Sequence, residues 1–492
     1  AKRAGFVAVE IHGGFCYLLA QFLSPFFNRR ADEYGGNSTN RARFPLRIVG
    51  AIRESVGPAF PILFRLNADE FIDGGTTVEE SRLYASLLEK ASVDLIHVTA
   101  GSGFAVSRHI EPMSFEQGWK AYLAGEIKKA VSVPVAAVGN IKEPAVAEAV
   151  LQRGDADCIA IGRALLADPY WPLKAKNGAR INRCISCNVC AGKRLAYDGP
   201  VRCSVNPFVG SEYREILRRP PARLRSVLIA GAGPAGMKAA AEAAKDGHTV
   251  ILAERADRVG GRALMAAAPP HKEKALWLVE DLAAQIRQAR VDLRLGVTVD
   301  RAYIESVRPD AVIVACGSES CLPPFLAGAA AERTVLAEDV LSGFPVSPSL
   351  TVGVIGGGSV GCECAELLAE AGNTVFIFEM RDAVAMDLDP ISRADLLTRL
   401  AALNVAVRER HCFQNFTDGT LTCTFGCEQT RQAVDLLVPA TGFRRPSALL
   451  ETLQGSAYPH LVIGDAARPG RFVDATRQGR LAADWLGAPG LG

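Results

Sequence analysis

Three things are scarce in this chain. No apolar run approaches the ~20 residues that a membrane-spanning helix needs. Neither sign of charge is in excess: 55 Lys and Arg stand against 53 Asp and Glu, a net charge of +2. No low-complexity tract appears. The first two absences remove the physical case for a membrane or a nucleic-acid partner. Cysteine, by contrast, is plentiful but irregular. The count of thirteen is odd, and four cysteines crowd between Cys184 and Cys203. That pattern argues against a disulfide framework and for a metal site in a reducing compartment, the cytoplasm. The other nine sit mostly among apolar or small residues.

The first part of the chain alternates strands and helices. VAVEIH (7–12), ILFRLN (62–67), LIHVTA (95–100), PVAAVG (134–139) and CIAIGR (158–163) read as strands, with helical patterns such as SRLYASLLEKA and AVAEAVLQRG between them. Such alternation implies a parallel sheet with crossover helices. An eight-stranded barrel takes roughly 250 residues, and only five βα units precede the cysteine cluster. The reading favours a barrel without its first three units.

Cys184, Cys187 and Cys190 stand at two-residue spacings in RCISCNVCAG, and Cys203 follows after twelve intervening residues in VRCSVNP. Four thiolates in this pattern can hold a [4Fe–4S] cluster. A structural zinc site takes the same four ligands. The nucleotide signatures that follow favour the cluster, because zinc carries no electrons.

Those signatures come twice, about 125 residues apart. In VLIAGAGPAGMKAA a short apolar strand runs into Gly231, Gly233 and Gly236 and then into an alanine-rich helix. The first glycine permits the tight turn, the second lets backbone approach a pyrophosphate, and the third lets helix and strand pack closely. The next strand, HTVILAE, ends at Glu254, eighteen residues after Gly236, where a carboxylate can accept ribose hydroxyls. In TVGVIGGGSVGCECAELLAEAG the same roles fall to Gly356, Gly358 and Gly361, and TVFIFE ends at Glu379, again eighteen residues on. A carboxylate there favours NADH over NADPH, although Arg381 lies two residues further and could face a 2′-phosphate. Two motifs imply two nucleotides, a tightly held FAD and a dissociable nicotinamide coenzyme. Gly464 and Asp465 in HLVIGDAARPG, with the small-residue turns VACG (314–317) and VPATG (438–442), fit further approaches of the chain to a nucleotide.

The run EIHGGFCYLLAQFLSPFFNRRADEYGGNSTNRARF closely resembles the Old Yellow Enzyme barrel of NADH:flavin oxidoreductases. VGNI and ADCIAIGRALLADP look like the FMN-phosphate strands of that family. With RCISCNVC, RCSVNP and the paired nucleotide motifs, the chain resembles the subfamily of 2,4-dienoyl-CoA reductase, 2-enoate reductases and trimethylamine dehydrogenase. The resemblance implies that Tyr17 is a proton donor and that His12 touches substrate or flavin. It implies that Arg65 lies near the flavin ring, and that Gly139, Asn140, Gly162 and Arg163 hold the FMN phosphate. Three departures stand out. Phe15 replaces a second histidine, Cys16 replaces a residue commonly glycine, and the first three barrel strands are absent. His109, in the loop after LIHVTA, matches the family's second-site histidine poorly.

The expected fold class is α/β: a partial TIM (β/α)8 barrel, an iron–sulfur segment and two Rossmann-like nucleotide-binding domains. The expected boundaries are 1–175 for the FMN barrel and 176–224 for the cluster segment and linker. Residues 225–345 and 446–492 form the FAD domain, interrupted by an NAD(P)H domain at 346–445. Electrons would pass from NADH to FAD, to [4Fe–4S], to FMN. They would then reduce an activated alkene, an enoate or an enoyl-CoA thioester, in a monomer or an oligomer. The rival readings are an amine dehydrogenase or demethylase, and a fragment acting only as an electron-transfer (diaphorase) module.

Overall fold

The computed structural model describes residues 1–192, 199–218, 220–322, 326, 333–446 and 448–488. It divides into two compact units, Ala1–Asn188 and Val189–Gly492.

In the first unit, β1 (Val9–Gly13), β2 (Ile62–Asn67), β3 (Leu95–Thr99), β4 (Val135–Ala137) and β5 (Cys158–Ile159) form one parallel sheet in sequence order. That is the order of five successive units of a βα barrel. The strand ends differ from the expected ones by a few residues, since short strands lose their ladder partners at the edges.

Helices α1 (Leu18–Leu23), α2 (Ser38–Val56), α3 (Val78–Lys90), α4 (Ala121–Lys128), α5 (Pro144–Gln152) and α6 (Arg163–Ala167) connect or flank these strands. Ile62, Phe64 and Leu66 alternate along β2 and are fully buried. Ser81, Tyr84, Ala85 and Leu88 make the buried stripe of α3 at helical spacing. The Tyr84 hydroxyl donates to the carbonyl of Leu23 at 2.8 Å and ties α1 down. Asn37 caps α2 by accepting from the Asn40 N–H. The other face of β2 carries Leu63, Arg65 and Asn67, so the sheet has one apolar face and one with polar groups near its carboxyl end.

In the second unit, β6 (Ser226–Ala230), β7 (Thr249–Glu254), β8 (Asp292–Leu295), β9 (Ala311–Val314) and β19 (His460–Val462) form a parallel sheet of order β19-β9-β6-β7-β8. A second parallel sheet has the order β13-β12-β11-β17, from β11 (Thr351–Ile355), β12 (Thr374–Phe378), β13 (Ala406–Arg408) and β17 (Leu436–Pro439). The chain therefore leaves the first sheet after β9, builds the second, and returns to place β19 beside β9. The two crossings run side by side. β10 (Glu319–Ser320) pairs antiparallel with β18 (Phe443–Arg444), and the Thr441 hydroxyl donates to the Cys321 carbonyl at 2.6 Å.

Helix α7 (Pro234–Lys245) follows β6, α8 (Ser359–Glu370) follows β11, and α9 (Phe472–Leu486) closes the unit against α7. A side-chain carbon at Gly479 would stand 2.5 Å from the Ala235 carbonyl oxygen, so only glycine lets those two helices approach this closely.

One element was not anticipated. β14 (His411–Thr417), β15 (Thr420–Phe425) and β16 (Glu428–Ala433) form a three-stranded antiparallel sheet. Its first turn is Asp418-Gly419, with both φ angles positive (48° and 73°), a strong hairpin signal in the sequence.

Candidate active site

The carboxyl ends of β1, β2 and β3 bring several sequence-selected residues together. His12 and Arg65 are register partners, and so are Arg65 and His97, so the three side chains share one rung of the sheet. Tyr17 is the residue before α1 and is 59% exposed. Its ring lies 5.3 Å from that of His12, centre to centre. Burial lowers the pKa of His12, and the nearby Arg65 cation lowers it further, so its imidazole is neutral near pH 7. The Arg65 guanidinium is mostly buried, and its Nε has no hydrogen-bond partner.

The turn between β1 and Tyr17 is strained. Phe15 and Cys16 both hold left-handed backbone, with φ of 56° and 62°. Side-chain contacts hold the turn in place. The Phe15 ring stacks on His109 at 3.5 Å and meets the Arg65 guanidinium at 4.9 Å. The Cys16 sulfur accepts the Gly103 N–H at 3.2 Å, and Gln21 donates to the Cys16 carbonyl at 2.6 Å. His109, poorly matched by sequence, is thus part of this cluster. Burial, then the Lys120 cation, depresses its pKa to about 4.

The residues selected for a phosphate also converge. Asn140, at φ 56°, donates to the carbonyls of Phe115 and Glu116. Arg163 reaches Asn140 Oδ1 at 3.4 Å, and Gly162 caps the short α6. Gly139 lies against Lys120, whose Cγ a side-chain carbon there would meet at 2.6 Å.

Sequence reading missed the group underneath. Glu111 is buried between Lys120, at 2.7 Å, and Arg163, also at 2.7 Å. Burial alone would raise the pKa of Glu111, but the two cations hold it below the usual carboxylate range. Neither Glu111 nor Lys120 lies in a recognisable motif; only the fold makes them neighbours. Two cations sharing one carboxylate leave an excess of positive charge, which suits an anion.

The two glycine loops repeat one construction. A side-chain carbon at Gly236 would sit 1.9 Å from the Gly231 carbonyl oxygen, and one at Gly361 would sit 1.9 Å from that of Gly356. Gly231 abuts the Ala315 carbonyl after β9, and Gly356 abuts the Ala440 carbonyl after β17. Both loops thus lie where the strand order reverses, which is where open α/β sheets bind ligands. Nothing lies within 4 Å of the position a Gly233 side-chain carbon would take.

Glu254 accepts the Ala232 N–H at 2.7 Å and the Ala256 N–H at 2.9 Å. Glu379 accepts the Gly357 and Arg381 N–H groups at 2.6 and 2.9 Å. Each acid braces its glycine turn and keeps lone pairs for further donors. The loops differ at one point. Asp387 accepts the Ser359 N–H at 2.9 Å and so places a carboxylate at the start of α8. Gly464, at φ 63°, packs on Ala235 of α7, and Asp465 accepts from Ser318 and from the Gly470 N–H.

Among the cysteines, Cys203 accepts the N–H groups of Val205 and Asn206, both at 3.4 Å. Cys184 is buried, while Cys187 and Cys190 are partly so. Burial pushes Cys362, Cys364 and Cys423 up to about 12, in keeping with inert thiols. Cys316 and Cys427 are exposed. Cys316 follows the end of β9, and Cys427 sits in the β15–β16 turn, where the chain leaves its ladder.

Comparison with known proteins decides the family. Residues 1–182 match the NADH:flavin oxidoreductase / NADH oxidase family, and residues 225–458 match pyridine nucleotide-disulphide oxidoreductases. The chain is 43% identical over 490 residues to an NADH oxidase of Thermoanaerobacter brockii, covering 97% of this chain and 75% of that protein. The chain belongs to the NADH:flavin oxidoreductase / NADH oxidase family. Within it, the chain stands with members that carry both halves, the 2-enoate reductase and trimethylamine dehydrogenase group.

A cinnamate reductase of Clostridium sporogenes is 32% identical, over 95% of this chain and 72% of its own length. A solved 2-naphthoyl-CoA reductase in complex with 2-naphthoyl-CoA superposes with a TM-score of 0.92 at 28% identity, over 98% of this chain and 74% of that one. Amine dehydrogenases are among the further matches. The protein is an oxidoreductase that uses flavin and NADH. Among the described residues, no helix is long and apolar enough to cross a membrane.

Proposed function

We propose that this protein reduces the C=C bond of an activated alkene, an enoate or an enoyl-CoA thioester, at the carboxyl ends of β1–β3. The observation that carries the reading is the exposed Tyr17 phenol beside His12 and the partly unpaired, mostly buried Arg65. The cofactors, when bound, supply the hydride and the single-electron steps that link NADH to the alkene. Tyr17 donates the proton to the carbon that receives no hydride, and its exposure lets it recover a proton from solvent. His12, neutral, orients the substrate by hydrogen bonding. Arg65 offers its cation to negative charge on the flavin ring, and its unpaired Nε fits such a partner. Gly139, Asn140, Gly162 and Arg163 hold the FMN phosphate, with Glu111 fixing the Arg163 guanidinium.

Gly231, Gly233, Gly236, Glu254, Gly464 and Asp465 would hold FAD. Gly356, Gly358, Gly361 and Glu379 would hold NADH, the ribose falling to Glu379. Asp387 competes with a phosphate at the second loop and not at the first, which agrees with a dissociable coenzyme there. Cys184, Cys187, Cys190 and Cys203 would ligate a [4Fe–4S] cluster. The two N–H groups aimed at the Cys203 sulfur favour that reading, since they stabilise a thiolate.

The test is anaerobic cofactor analysis followed by turnover with NADH and cinnamate or an enoyl-CoA. Four irons, FAD and FMN per chain, with alkene reduction, are expected. Zinc in place of iron would overturn the electron path. Oxidation of an N-methyl amine without alkene reduction would favour the amine dehydrogenase reading. Dye reduction by NADH alone would leave only a diaphorase.

A further inference from the structure

Five buried polar atoms on β2 and β3 have no partner: Arg65 Nε, Asn67 Nδ2 and Oδ1, His97 Nε2 and Thr99 Oγ1. Asn67 is 4% exposed and Thr99 1%. Their main chains are satisfied, because the Thr99 carbonyl accepts the Ala68 N–H at 2.7 Å and the Asn67 carbonyl accepts from Ser81. Only the side chains are left over. A donor or acceptor buried without a partner is costly, and native proteins keep few of them unless a ligand or water completes the set.

Arg65, Asn67 and Thr99 also share a face. Arg65 and Asn67 are two apart on one strand, and Asn67 and Thr99 are register partners on neighbouring strands. Strand spacing puts Thr99 about 5 Å from Asn67, and Arg65 about 7 Å from it. That area is the size of one six-membered heterocycle. The carboxamide of Asn67 presents a donor and an acceptor side by side, the complement of an imide edge in which a carbonyl adjoins an N–H.

We propose that Asn67 and Thr99 bind the imide edge of the barrel flavin, with Arg65 flanking them. This rests on the flavin-barrel reading above and adds two binding residues to it. The full chain is titrated with FMN, and with FMN methylated at N3, by flavin fluorescence anisotropy. Wild type, Asn67→Leu and Thr99→Val are compared, and each is melted without added FMN. Both variants are close in size to the native residue and remove an unsatisfied polar group.

Wild type is expected to prefer FMN over its N3-methyl form by at least roughly 10-fold. Asn67→Leu is expected to bind FMN roughly 10–100-fold more weakly, to lose the discrimination against N3-methylation, and to melt no lower than wild type without FMN. Wild type that binds FMN, with both variants binding it equally well, overturns the inference and leaves the flavin-barrel reading standing. A loss confined to alkene KM, with FMN affinity unchanged, assigns the pair to substrate and overturns it too. Wild type that binds no FMN overturns both.

Discussion

The twin glycines that close the two nucleotide loops make a paired experiment. In Gly361→Ala the new carbon would lie 1.9 Å from the Gly356 carbonyl oxygen, whereas real side-chain carbons essentially never come within 3.0 Å of such an atom. The oxygen belongs to the backbone and cannot swing aside. Helix α8 must therefore back away from β11 by about 1 Å. An N–H···O bond of 2.9 Å lengthened by that much is no longer a hydrogen bond. Charge-assisted bonds contribute about 1.5–3 kcal/mol each, so losing one or two weakens the pyrophosphate by roughly 10–10⁴-fold.

Gly236→Ala makes the same 1.9 Å clash in the first loop. The expected results cross over. Gly361→Ala keeps its bound FAD but loses NADH affinity and NADH-dependent dye reduction. Gly236→Ala purifies with little FAD. FAD is read by absorbance after denaturation, and NADH binding by fluorescence titration. An NADH dissociation constant within about threefold of wild type in Gly361→Ala would refute the close-packing argument. Loss of the same nucleotide in both variants would refute the assignment of the two loops.

Tyr17→Phe should slow alkene reduction by roughly 10²–10⁴-fold while leaving NADH-dependent dye reduction intact; equal loss of both activities would remove Tyr17 from the proton-donor role. His109 gives a stability prediction with a definite sign. Its folded pKa of about 4 lies below the 6.5 of an ordinary histidine, so the unfolded chain takes up its proton first. Its contribution is complete above pH 6.5 and is lost as pH falls toward 4, by roughly 3 kcal/mol. His109→Gln should melt with a shallower dependence between pH 7 and pH 5, and an unchanged slope would refute the assignment.

Much of the fold is legible because it rests on local chemistry. The strand ILFRLN coincides with β2, since its alternating Ile62, Phe64 and Leu66 have only one face to bury. The antiparallel sheet at 411–433 was missed because its strands are short and largely polar, although Asp418-Gly419 marked its turn. His109 was passed over for a similar reason. Its place depends on a ring stack with Phe15, 94 positions earlier in the chain, and no spacing rule records that.

By local pattern alone the sequence carries the two Rossmann-like folds, including Gly236 and Gly361, where a side-chain carbon would strike the carbonyl five positions earlier. Those requirements arise within a single strand–turn–helix, where neighbours in sequence are neighbours in space. It determined the run of βα units for the same reason. The tertiary structure alone decided what surrounds the predicted residues. It set Glu111 between Lys120 and Arg163, put Asp387 at the start of α8, and left Asn67 and Thr99 buried without partners. Each of these depends on the charge, volume or missing partner of a side chain far away in sequence, and such effects act only once the sheets have formed.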